Sequence, residues 1–179
     1  MFRLSRIVCA VALMAVTGAV AAAGLERKDT RFMQEAAQAG MFEVSASQMA
    51  GEKASHPDVK AFASMMISDH TRVADELKQL AGSKNVELPT EPSAGMRAKL
   101  DKLQGKSAAD FDKEYAKEVA VDAHQDAVKL FSKAAKDAAD PEVKAFATRT
   151  LPVLQQHLAR GKEVESLVES THANAKMSR

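Results

Sequence analysis

Apolar positions recur at spacings of three and four along four long stretches of the chain, about 29–54, 57–82, 107–138 and 141–169. That is the period of helices with one buried stripe, so the pattern predicts an all-α fold built on four long helices. A stretch of about 26 residues makes a helix of roughly 39 Å. Pro57 and Pro141 stand at two of the helix starts, where a missing N–H removes no hydrogen bond. Asp140 is placed to cap the fourth helix, Ser107 with Asp110 has the form of a capping box, and Gly82 marks the end of the second helix. Pro152, inside the fourth stretch, is expected to remove the bond to the Thr148 carbonyl and to kink the helix.

The two halves repeat one another. His56-Pro57-Asp58-Val59-Lys60-Ala61-Phe62-Ala63 lies over Asp140-Pro141-Glu142-Val143-Lys144-Ala145-Phe146-Ala147 at an offset of 84 residues. The chain therefore reads as two helical hairpins of one design. Between them, residues 83–106 hold Pro89, Pro92, Gly95 and Gly105 around a short helical piece at about 93–103. Adjacent antiparallel helices need only a few linking residues, whereas a connection of this length can travel the length of the fold, as in ferritin-like topology. The expected architecture is a ferritin-like four-helix bundle over residues 24–179, with simple up-and-down alternation as the other arrangement and a flexible tail at 170–179.

Four polar residues interrupt the apolar stripes. His70 stands in the row Val59, Ala63, Met66, Val73, Leu77, and His157 in the row Val143, Ala147, Thr150, Leu154, Gly161, Val164. Glu43 lies with Ala36, Ala39, Ala46 and Ala50, and His124 with Val121, Val128 and Phe131. Each long helix thus sends one potential metal ligand inward. Glu43 and His70 are equidistant from the His56–Pro57 step, and His124 and His157 from the Asp140–Pro141 step, so each pair is level across its own hairpin. If the two turns share an end, the pairs are offset by about 4.5 Å and meet at mid-height.

Two readings of this layer stand side by side. An unpaired buried polar group costs about 1–3 kcal/mol, so the four must at least satisfy one another, and a hydrogen-bonded layer that only sets helix register would do that. Alternatively they ligate a metal. Three imidazoles and a carboxylate suit zinc, copper or iron rather than calcium or magnesium. Asp69, next to His70, and Met66, one turn before it, are placed to support such a site from behind. His56 and His172, at a turn and in the tail, are expected to be exposed.

Composition and charge narrow the setting. Residues 1–23 combine Arg3 and Arg6 with an apolar run and an Ala21-Ala22-Ala23 cleavage site, the pattern of a signal peptide for export, with the periplasm as the expected compartment. Cleavage removes Cys9, the single cysteine, so thiolate and disulfide chemistry are excluded from the mature chain. It also takes the formal charge from +1 to −1 with both signs interspersed, which gives no electrostatic footprint for nucleic acid, and it leaves no membrane span. There is no tryptophan and one tyrosine, in keeping with closely packed helices. No phosphate-binding glycine loop, CxxC pair or HExxH occurs, so the sequence holds no positive sign of an enzyme.

Ala36-Ala37-Gln38-Ala39-Gly40-Met41-Phe42-Glu43, Ser68-Asp69-His70-Thr71, Leu88-Pro89, and Leu151-Pro152 through His157-Leu158 together resemble the exported bacterial proteins grouped as domain of unknown function 4142. The resemblance extends over nearly all of the chain after residue 23. It implies a ferritin-like helical fold and an exported protein, and it puts Glu43, His70, His124 and His157 at motif positions. It implies no activity. A di-iron oxidase of ferritin type is disfavoured, because those enzymes use a Glu-x-x-His on each of two helices and this sequence has none. Two functions remain: metal or small-ligand binding at the polar layer, in metal handling or envelope stress, and a structural or interaction module with a partner in the cell envelope.

Overall fold

The computed structural model describes residues 25–177. The expected signal peptide, its cleavage site and Cys9 lie outside the described residues. All regular elements in the described part are helical: α1 (Arg27–Lys53), α2 (Pro57–Ser83), α3 (Ala94–Gln104), α4 (Ala108–Tyr115), a π-helical segment (Ala116–Ala123), α5 (His124–Asp137) and α6 (Pro141–Met177). The all-α expectation holds. The third predicted helix is a continuous rod of α4, the π segment and α5, and α6 stays helical through Pro152 and well into the stretch expected to be a flexible tail.

Local chemistry explains most of the boundaries. Asp140 Oδ1 accepts from the backbone N–H groups of Glu142 at 2.9 Å and Val143 at 3.1 Å, capping α6 as its position implies. The Ser107–Asp110 contact differs from a capping box: Ser107 Oγ donates to the Asp110 carboxylate at 2.7 Å, and the serine caps no backbone N–H. Helix α2 runs past Gly82. It ends where Asn85 takes the left-handed conformation, φ 55°. Val86 N–H then reaches the Ala81 carbonyl at 2.9 Å and Asn85 N–H the Gly82 carbonyl at 3.2 Å, a Schellman ending in which the short polar side chain of asparagine tolerates the backbone that glycine usually supplies.

Two buried carboxylates tie the hairpins together. Asp29, at the start of α1, accepts from Ala139 and Asp140 in the α5–α6 turn, and Asp112, in α4, accepts from Ser55 and His56 in the α1–α2 turn. Both are almost fully buried, and Ser55 Oγ also donates to Asp112. Each hairpin thus caps the turn of the other. The contacts also place the two turns at opposite ends of the fold, with Lys84, at the end of α2, paired to Asp140 at 2.8 Å. The segment between α2 and α4 must therefore run from one end to the other. Val86 and Leu88 pack at the α5–α6 turn end, and Leu100 and Leu103 of α3 at the α1–α2 turn end.

The core falls into two apolar clusters. One gathers Phe42, Val59, Phe62, Met66, Phe111, Tyr115, Val119 and Val164, and the other Phe32, Met33, Leu77, Phe131, Phe146 and Leu154. Phe32, Phe131 and Phe146 meet as a trio in the second, with a T-shaped Phe32–Phe131 pair at 5.0 Å. Burying such a side chain is worth roughly 1.5–3 kcal/mol, so the two clusters supply the main driving force for folding. Along α1, α2, the α4–α5 rod and α6, the sequence passes from one cluster to the other across Glu43, His70, His124 and His157.

Removing either buried carboxylate leaves two or more backbone N–H groups without an acceptor. Asp29→Ala and Asp112→Ala are each expected to lower stability by about 1–3 kcal/mol in urea titrations. Because the two sites lie at opposite ends, the double variant should lose the sum of the two within about 0.5 kcal/mol.

Candidate metal centre

His70 and His157 come from the middle of α2 and α6, and His124 from the middle of the continuous rod formed by α4, the π segment and α5. The two hairpin turns do not share an end, so the height argument from sequence needs correction. The pairs meet because each lies near mid-length, where reversing a hairpin leaves the level almost unchanged. The rings form a triangle with centroid separations of 5.6 Å (His70–His124), 5.3 Å (His70–His157) and 5.5 Å (His124–His157). All three are buried, and one ring nitrogen of each lies within 4.8 Å of the other two. Phe62 stands edge-on to His124 at 5.9 Å and closes the layer on one side.

Each imidazole is held from behind by a different acceptor. His70 Nδ1 is 3.0 Å from Glu43 Oε2, His157 Nε2 is 2.9 Å from Asp69 Oδ2, and His124 Nδ1 is 2.9 Å from the Val119 carbonyl oxygen. The opposite nitrogens, His70 Nε2, His124 Nε2 and His157 Nδ1, have no hydrogen-bond partner. Metal-bound histidines show this division of labour: one nitrogen is fixed by a carboxylate or backbone carbonyl, which sets the tautomer and ring orientation, and the other faces the ion. Glu43 stands behind His70 rather than among the free nitrogens. Its Oε1, 3.8 Å from His124 Nδ1, is a fourth buried atom without a partner.

Some parts of this arrangement have a sequence signal and others have none. Asp69 is one-third exposed and reaches across from α2 to His157 on α6 rather than serving its neighbour His70. Met66 is fully buried in the cluster with Val59 and Phe62. His124 Nδ1 reaches the Val119 carbonyl, five residues back, where the π segment meets α5. An i→i+5 segment takes up one additional residue, and the second hairpin is one residue longer than the first between its buried aspartate and its capped turn, Asp112 to Ala139 against Asp29 to Ser55. Gly161 is the other silent contributor: a Cβ there would lie 2.1 Å from the Ala120 oxygen in the π segment. Its signal in the sequence is a glycine standing on the core stripe of a helix.

Electrostatics follow from burial. Desolvation pushes Glu43 up to about 8, His70 down to about 3 and His124 down to about 4. His157 is also lowered by burial, against the pull of Asp69. At neutral pH the three imidazoles are therefore uncharged, the form that binds metal. The Glu43–His70 contact is then a neutral hydrogen bond rather than an ion pair.

The class defined so far is an all-helical protein with a buried, outward-braced cluster of three histidines. The chain belongs to the family described as Domain of unknown function (DUF4142), whose model matches residues 14–164. Among solved structures it is similar to CopM in the Cu(II)-bound form, at 21% identity and TM-score 0.62, covering 77% of this chain and 95% of that one. The Cu(I)-bound form of CopM matches at 22% identity and TM-score 0.62, covering 75% and 93%. A DUF305 fragment from Deinococcus radiodurans matches at 14% identity and TM-score 0.69, covering 82% of this chain and 98% of the fragment. These likenesses show a shared helical fold. No curated protein matches the chain.

Two measurements probe the geometry. Gly161→Ala should destabilise the protein by about 2–3 kcal/mol or more in chemical denaturation, because the new methyl group meets backbone that cannot yield. Metal-free protein should be most stable near pH 6.5. Below that value the unfolded histidines take up protons that the folded ones refuse, and stability falls toward pH 4. Above it the folded Glu43 holds a proton that the unfolded chain has released, so stability declines until about pH 8. Between pH 4.5 and 6.5 the three histidines outweigh the single glutamate. Glu43→Gln should flatten the alkaline limb and keep the acid limb, as read from thermal melts across pH.

Proposed function

We propose that this protein is an exported, periplasmic, ferritin-like four-helix bundle that holds one transition-metal ion at His70, His124 and His157, with Glu43 bracing His70. One observation carries the reading: three buried imidazoles each have one nitrogen fixed from behind, while the other nitrogens lack partners and share one small space. A layer that only set register would pair these atoms among themselves. Leaving the three buried histidine nitrogens unpaired costs on the order of 1–3 kcal/mol each, which a bound cation would offset.

The donor set favours copper, with zinc and iron as the competing ions. Neutral imidazole suits all three, and affinity for divalent ions peaks at copper. Solved structures of CopM, similar in fold, are Cu(II)-, Cu(I)- and Ag-bound. A single ion would be held by one ring nitrogen of each histidine, and these lie within 4.8 Å of one another. The layer has a single glutamate, which argues against a carboxylate-bridged di-iron centre and the oxidase chemistry of ferritin type. Export is supported by the pattern of residues 1–23. Among the described residues no helix is long and apolar enough to cross a membrane. The bundle reading is supported by the paired hairpins α1–α2 and α5–α6 and by the connection that runs from end to end.

Protein purified without a histidine tag should bind about one equivalent of copper, and a His70→Ala/His157→Ala variant close to none. At a hundredfold excess of free ion over Kd, stabilisation of about 2.7 kcal/mol should raise Tm by roughly 5–10 °C in the first protein only. Equal, sub-stoichiometric copper, zinc and iron in both proteins would sink the proposal.

A further inference from the structure

We infer that the protein also binds a small, largely apolar molecule with one hydroxyl group, in a cavity that reaches Glu43. The cavity has a volume of about 300 Å³ and is walled by Gly40, Val73, Leu77 and Phe131, with Glu43 and His70 as its buried polar lining. Leu88, Pro89 and Thr90 of the α2–α3 connection also line it. Gln34 Nε2 donates to the Glu87 carbonyl at 3.1 Å and holds that strap against α1.

The chemistry of the occupant follows from the walls. A space of this size, lined mainly by apolar side chains, takes a two-ring aromatic or a molecule of similar bulk. Glu43 is 1% exposed; its Oε2 is engaged by His70 and its Oε1 has no hydrogen-bond partner. An occupant with one hydroxyl would supply that partner, since a hydroxyl accepts from a carboxylic acid as well as donating to a carboxylate. A charged amine would have to shed its hydration in an apolar cavity, so a neutral hydroxyl fits better. The inference goes beyond metal binding and does not depend on it, because Glu43 Oε1 is not one of the three histidine nitrogens.

The cavity also has an origin in the repeat. At the 84-residue offset, Gly40 is the counterpart of His124, so the first hairpin has no side chain where the second carries an imidazole. A Cβ built on Gly40 meets nothing within 4 Å.

The test titrates metal-free protein with 2-naphthol and with naphthalene, following ligand fluorescence, in a chain that has no tryptophan. 2-Naphthol is expected to saturate a single site about ten-fold more tightly than naphthalene, the effect of one buried hydrogen bond. Gly40→Leu should weaken both ligands at least ten-fold by filling the space. Equal affinity for the two ligands, no saturable binding of 2-naphthol, or unchanged affinity in the Gly40→Leu variant would each overturn the inference. In Glu43→Leu the preference for the hydroxyl should vanish; if that variant does not fold, the ligand pair and Gly40→Leu decide the matter alone. Because no metal is present in these titrations, failure here leaves the copper measurement untouched.

Discussion

The structure turns on burying four ionisable side chains at one level of a helical core. The layer is almost fully buried, so each ring is oriented by a protein acceptor, and three different ones are recruited: the Glu43 carboxyl group, the Asp69 carboxylate and the Val119 carbonyl. The apolar clusters on either side then act as walls. They keep the local dielectric low, which holds the imidazoles neutral, and they pack the helices tightly enough to fix ring positions. Gly161 belongs to the same demand, since α6 can approach the π segment only where no side chain intervenes.

The duplicated hairpin explains the scaffold and not the site. Under the 84-residue offset Glu43 corresponds to Ala127, His70 to Leu154, His157 to Val73 and His124 to Gly40. The turns and their buried aspartates, by contrast, are reciprocal between the halves. Polar residues were thus placed at four unrelated positions of a symmetric frame. The one-residue lengthening that accompanies the π segment is a local departure from that symmetry, and it falls immediately before His124. π-Helical irregularities of this kind occur frequently at functional sites in helices.

Much of the fold was legible because helices announce themselves through short-range periodicity. The stripes around His70 and His157, the prolines at the helix starts and the Asp140 cap all reappear in the structure where the sequence places them. The end of α2 was misplaced at Gly82, since asparagine in a left-handed turn leaves only a faint compositional trace. Residues 170–179 were expected to form a flexible tail, yet α6 continues to Met177, with Thr171 held to His56.

By itself the sequence determined the helices, the repeat, the four inward polar residues and the range of metals that imidazole and carboxylate admit. These are properties of spacing and side-chain type, readable within a few turns of chain. Only the tertiary structure decided which nitrogen of each histidine faces inward, that Glu43 stands behind His70, that Asp69 serves His157 from another helix, and that the hairpin turns lie at opposite ends. Most of these depend on contacts between residues far apart in the chain, and the Val119 contact of His124 on a local π-helical irregularity; no periodicity encodes either.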